Sequence, residues 1–290
     1  MPTGKPSFFV ISDACGNFKF YRKRGRDMLS FLQSLAIALS MYSILPMPRL
    51  DWREDNMRWS LACLPAVGIL AALLLGGWSF LARYFTLSPL FFSAVAVLLP
   101  IALSGGFHMD GFLDAADAIF SRREREEALK IMKDPRCGPF AVLCCGGLLL
   151  LGAGAWGQLL KVPALLPAAC LVPVASRGLT VAAGSRLPYA STSTLGALFA
   201  GRAARGVRQL SMWEAAVSLL LLPAAGWLGG GRAGLAAAGF GTAAVLLLYI
   251  WYRRMVLHRF GGVTGDLLGF LVELSELTLW LALAAASCLL

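Results

Sequence analysis

The chain has 290 residues, of which 58% are hydrophobic and only 14% charged, with a net charge of +10. Several apolar runs reach the ~20 residues that a helix needs to cross ~30 Å of hydrocarbon, which excludes an ordinary water-soluble domain and predicts an all-α, polytopic membrane helix bundle. The positive charge would suit nucleic acid, but its distribution along the chain, set out below, assigns it to membrane surfaces, and no nucleic-acid partner is expected.

Residues 1–27 read as a basic, disordered N-terminal tail in which Lys19, Arg22, Lys23, Arg24 and Arg26 cluster. Residues 28–290 read as one integral-membrane domain. Leu29 to Leu45 is apolar but short, dotted with Ser30, Gln33, Ser34, Ser40 and Ser43, and stopped by Pro46 and Pro48. Seven clearer spans follow, at roughly 60–82, 86–103, 138–160, 162–184, 211–230, 233–252 and 267–289. Of the 26 Lys and Arg residues, 22 fall in 1–28, 46–59, 104–137, 185–210 and 253–266. The intervening loops hold only Arg83, Lys161 and Arg232, and no acid. The positive-inside rule places the charged loops in the cytoplasm. That alternation requires 29–45 to enter and leave on one side, as an interfacial or re-entrant helix. The seven Cys contain no C-x-x-C pair, so neither a zinc site nor a disulfide framework is indicated.

The stretch S-G-G-F-H-M-D-G-F-L-D-A-A-D-A-I-F, residues 104–120, carries Asp110, Asp114 and Asp117 at i, i+4 and i+7, with no Lys or Arg among them. On a helix these fall in a narrow arc, where like charges repel. A hard divalent cation such as Mg²⁺, which takes carboxylates together with substrate phosphates, offsets that repulsion, so the three aspartates are the expected metal ligands. Gly105 and Gly106 allow backbone to approach a ligand closely. His108 is a candidate general base or substrate contact. The mixed charges from Ser121 to Glu127 read as a solvated helix. In I-M-K-D-P-R-C-G-P-F, residues 131–140, Lys133 and Arg136 flank Asp134, and either cation could hold a phosphate or pair with the aspartates. Arg202, Arg205 and Arg208 recur every three residues, a basic face for anionic lipid or an anionic substrate. A second cluster runs from Arg253 and Arg254 through G-G-V-T-G-D-L-L-G-F-L-V-E-L-S-E, residues 261–276. Carboxylates inside a membrane helix are functional by default, which draws in Asp266 and Glu273, on one helical face, with Thr264 just before them. Both clusters lie at the cytoplasmic ends of spans, so one shared cavity is expected. It would place His108 or Asp266 near an attacking hydroxyl, and Lys133, Arg136 and Arg254 on outer phosphate oxygens.

With L-P-M-P (45–48), G-G-F-H-M-D-G-F-L-D-A-A-D-A (105–118), A-L-K-I-M-K-D-P-R-C-G-P-F (128–140), P-Y-A (188–190) and G-G-V-T-G-D-L-L-G (261–269) in order, the chain resembles the cobalamin synthase, or adenosylcobinamide-GDP ribazoletransferase, family. The resemblance implies a Mg²⁺-dependent enzyme of the bacterial cytoplasmic membrane. Such an enzyme joins adenosylcobinamide-GDP to α-ribazole or its 5′-phosphate and releases GMP. Homo-oligomerisation, or association with other cobalamin-assembly enzymes, stays open. The D-G-x-x-D-x-x-D arrangement is also similar to the motif of CDP-alcohol phosphotransferases of lipid synthesis, the alternative reading. A cation-coupled transporter is a third, disfavoured because the acids cluster at one side.

Overall fold

The structure, a computed structural model, describes residues 31–48, 59–191 and 205–289. The N-terminal tail, Arg202 and most of the basic segment 46–59 lie outside the described residues. Ten helices are described: α1 (Phe31–Tyr42), α2 (Leu64–Tyr84), α3 (Pro89–Leu103), α4 (Phe107–Phe120), α5 (Arg125–Ile131), α6 (Pro139–Leu160), α7 (Leu166–Arg186), then α8 and α9 within Arg205–Met255, and α10 (Gly265–Ala286). No strand occurs among the described residues, only an isolated bridge between Tyr189 and Val263.

Length and composition make five described helices long enough to cross a bilayer, or six if the bent pair α3–α4 is one span. That count takes Arg205–Met255 as a single helix. Its backbone leaves helical geometry at Gly230 and Gly231 (φ 57°, ψ −137°), a left-handed conformation that glycine adopts without a Cβ penalty. The chain folds back there, and a Cβ added to Gly226 would lie 2.3 Å from the carbonyl oxygen of Gly234. This fold-back divides the trace into α8 (205–229) and α9 (232–255) and accounts for the extra pass in the sequence count of about seven. α1, at about 18 Å, is too short to span.

α7 and α10 form the axis, with 83% and 78% of their apolar windows buried, against 39% for α2 and 28% for both α6 and the α8–α9 trace. Small residues let backbones meet, the device that membrane helices use in place of hydrophobic collapse. Gly68 of α2 lies on Pro173 and Val174 of α7, and Gly178 of α7 lies on Glu214 and Ser218 of α8. Between α7 and α10, Arg177 forms a buried ion pair with Glu276, whose Oε1 also accepts from Ser176 Oγ at 3.0 Å. Two residues that would each be costly alone in hydrocarbon thus neutralise one another's charge.

The segments that carry the motifs dock at one end of this bundle. α3 ends at Ser104, and Gly105 (φ 61°) and Gly106 (φ 80°) turn the chain by 96° into α4. Residues after α1 seat on that turn, with Ile44 N–H donating to the Leu103 carbonyl at 2.9 Å. The 188–190 and 261–265 motifs are joined by backbone. Val263 N–H donates to Pro188 O at 2.8 Å, and Ala190 N–H to Val263 O at 3.0 Å.

Candidate active site

α4 crosses the start of α10 with backbone against backbone. A Cβ on Gly111 would lie 2.9 Å from Cα of Asp266, and one on Gly269 would lie 2.8 Å from the carbonyl oxygen of His108. The residue before Gly111 is Asp110, so the glycine that permits the crossing also brings the first aspartate to Asp266. The charges of Asp110, Asp266 and Asp117 all act on Asp114, and those of Asp110 and Lys133 on Asp266. The two acidic clusters therefore form one constellation. Asp110 is exposed and Asp114 and Asp266 are half-buried, so solvent touches all three side chains.

Asp117 lies further along the same side of α4 and is held by backbone. It is buried at the last turn of α4, and its two carboxylate oxygens accept from the backbone N–H groups of Gly138 (2.6 Å) and Ala141 (2.9 Å). These are among the orphan donors at the start of α6, where a negative charge also suits the helix dipole. Gly138 has no room for a side chain, since a Cβ would lie 2.6 Å from Asp117 Oδ1. The three aspartates keep their arc on α4 but differ in their partners. Asp110 and Asp114 face Asp266, while Asp117 anchors the next helix.

Among the described residues no three His, Cys, Asp or Glu side chains close into a cage for a metal. The donors that do face one another are all carboxylates and come from two helices. Hard oxygen donors fit Mg²⁺, which keeps several positions for water and phosphate oxygen rather than filling them from protein.

The loop 132–138 lies beside this constellation. Lys133 is exposed and within electrostatic reach of Asp266. Asp134 and Arg136 pair with each other instead. Arg136 donates from Nε to Oδ1 (2.9 Å) and from Nη2 to Oδ2 (2.7 Å). Those hydrogen bonds hold the Asp134 carboxyl down at about 2, and among the described residues no carboxylate forms an ion pair with Lys133. Thr264 caps α10, its Oγ1 accepting from Leu267 N–H at 3.2 Å and lying 3.4 Å from Asp266 Oδ2, and so it orients Asp266. Arg125 is pinned to the carbonyls of His258 (3.1 Å) and Arg259 (3.4 Å), and Arg259 donates to Ile119 O at 2.6 Å, which ties the end of α4 to the π-turn Val256–Phe260.

Several expected members stand apart. His108 is buried, its ring stacked on Tyr42 at 6.0 Å, and its Nε2 has no hydrogen-bond partner among the described residues. Two residues on a helix are about 200° apart, which puts His108 on the side of α4 away from Asp110. It lines a small chamber with Tyr42, Thr180, Tyr189 and Leu268. Glu273 is buried within electrostatic reach of Arg177 and Glu276, deeper along α10 than Asp266. Arg254 is exposed near the end of α9. Gly105 and Gly106 are required by their positive φ, independently of any ligand. Sequence reasoning missed Arg177 as the partner of Glu276. It also missed Gly111 and Gly269 as the crossing point, although each sits one to three residues from a site aspartate.

The profile of the cobalamin-5-phosphate synthase family matches residues 34–284. The chain belongs to that family. A relative from Lachnoclostridium phytofermentans named adenosylcobinamide-GDP ribazoletransferase is 34% identical over 262 residues, covering 89% of this chain and 95% of the relative. One of the same name from Pseudomonas putida is 38% identical over 263 residues, covering 89% and 97%, and one from Brevibacillus brevis is 33% identical over 258 residues, covering 86% and 96%. No solved structure matches. The family span contains the whole constellation on α4 and α10, the loop 132–138 and the docked motifs. It selects the ribazoletransferase reading over the CDP-alcohol phosphotransferase and transporter alternatives.

Proposed function

We propose that this membrane transferase of cobalamin assembly joins adenosylcobinamide-GDP to α-ribazole or its 5′-phosphate at the crossing of α4 and α10. A ribose hydroxyl attacks the phosphorus attached to the corrinoid arm. The bond to the GMP phosphate breaks, a phosphodiester forms, and GMP leaves with the bridging oxygen. The observation that carries this reading is the meeting of Asp110, Asp114 and Asp266 around Gly111 and Gly269. Mg²⁺ held there would neutralise charge developing on the diphosphate. Asp110 and Asp114 on α4 and Asp266 on α10 would hold it. Lys133 binds an outer phosphate oxygen beside them. Asp266, oriented by Thr264, is the candidate to accept the proton of the attacking hydroxyl. Asp117 is reassigned from metal ligand to anchor of α6, which fixes the loop carrying Lys133. His108, packed away from the carboxylates, is a positioning residue for α4. The Lys and Arg distribution supports a site on the cytoplasmic side of the bacterial inner membrane.

The test is GMP release from adenosylcobinamide-GDP by membranes carrying the protein, with α-ribazole and with its phosphate. Mg²⁺-dependent release that falls at least a hundredfold in Asp114→Asn, with insertion unchanged, is the expected result. Full activity of Asp114→Asn at limiting Mg²⁺ would overturn the assignment.

A further inference from the structure

At the end of the bundle opposite the aspartates, a groove of about 680 Å³ runs between α2 and the start of α7. Gly76, Ser79, Phe80, Arg83 and Tyr84 line one wall, and Pro163, Leu166, Pro167 and Cys170 the other. It opens on a flank that faces lipid, where Phe80 is 69% and Tyr84 71% exposed. The α2 wall is open at Gly76, where an added Cβ would meet nothing within 4 Å. From Arg83 to Gly76 is about 10 Å along α2, so the groove descends from the depth of lipid headgroups into that of acyl chains. Tyr84 at its mouth is the amphipathic ring that membrane interfaces favour.

Charge decides the occupant. Arg83 sits in the last turn of α2, and Lys161 caps α6 two residues before Pro163. Gly229 packs on Ala164, which brings the α8–α9 turn, just before Arg232, beside the same segment. No Asp or Glu occurs in the loops at this end. The ion pairs among the described residues are Arg123–Glu127, Arg136–Asp134 and Arg177–Glu276, so none engages Arg83. An exposed cation above an apolar groove at membrane depth matches a phosphate attached to a hydrocarbon chain. We propose that this groove binds one anionic phospholipid, with an acyl chain along α2 from Tyr84 to Gly76 and its phosphate against Arg83.

Native mass spectrometry of the full chain, released from micelles holding equal phosphatidylglycerol and phosphatidylcholine, tests this. The expected result is one phosphatidylglycerol retained under activation that strips phosphatidylcholine. Retention should fall at least fivefold in Arg83→Gln, which removes the cation, and in Gly76→Leu, which fills the opening in the α2 wall. GMP release by both variants checks that they are folded. Equal retention of the two lipids overturns the proposal, and so does unchanged phosphatidylglycerol retention in either variant.

Discussion

Replacing Asp117 separates an anchor from a metal ligand. Its carboxylate accepts two backbone hydrogen bonds, at 2.6 Å from Gly138 and 2.9 Å from Ala141. Asp117→Ala strands both donors in a buried setting and removes the negative charge from the start of α6. Hydrogen bonds to charged groups contribute about 1.5–3 kcal/mol each, and loss of a capping side chain costs about 0.5–2 kcal/mol. Because these overlap, the expected loss is about 2–4 kcal/mol. Asp117→Asn keeps one acceptor but turns an NH₂ toward the second donor, so about half that loss is expected. Thermal denaturation in detergent should rank wild type above Asn above Ala. The Mg²⁺ concentration for half-maximal GMP release should stay within about twofold of wild type in the folded Asn variant, since ~0.4 kcal/mol is all that such a change represents. Wild-type stability of both variants together with a need for at least tenfold more Mg²⁺ in Asp117→Asn would refute the anchoring role of Asp117.

Three further outcomes follow from the geometry. Arg177→Met leaves Glu276 buried without its cation and should destabilise the protein by about 3–5 kcal/mol, whereas Arg177→Met with Glu276→Gln should recover much of the loss; equal stability of the two variants in detergent denaturation would contradict a paired role. Gly269→Ala sets a methyl 2.8 Å from the His108 carbonyl oxygen, so α4 must shift and GMP release should fall at least tenfold, while Gly76→Ala, in open space, should leave it unchanged. The Asp134–Arg136 pair gives a pH prediction of definite sign. Because the folded carboxyl is lowered to about 2 from 3.8, its contribution is complete above about pH 4 and disappears only as pH falls toward 2. NMR titration of Asp134 should find it ionised from pH 5 to 9, and Arg136→Gln should raise its midpoint.

Much of this architecture was legible because membrane helices write their boundaries in composition. The apolar runs and the gap between the spans 211–230 and 233–252 are local signals, whereas the turn at Gly105 and Gly106 (φ 61° and 80°) shows only in the structure. The approach of Asp110 to Asp266 was inferred from a demand, that neither cluster could stay uncompensated at a bundle end, and the crossing at Gly111 meets it. What escaped was partner identity. An aspartate that caps a helix 21 residues later has the same i+7 spacing as one that faces a ligand, so periodicity alone could not separate Asp117 from Asp114. Arg177 and Glu276 each announced a need for a partner from within an apolar helix, but 99 residues separate them. His108 is two residues from Asp110 in sequence, and on a helix that offset places the two side chains on different sides of α4.

Mn²⁺ binding followed by electron paramagnetic resonance, with purified protein and a non-reacting GDP-bearing substrate analogue, tests most directly whether α4 and α10 share a cation site. Asp114→Asn and Asp266→Asn should each weaken binding at least tenfold, a loss of about 1.4 kcal/mol, and Asp117→Asn should leave it within about twofold. Wild-type affinity in Asp266→Asn together with lost affinity in Asp117→Asn would show that the metal is held by α4 alone, through the three aspartates of one arc.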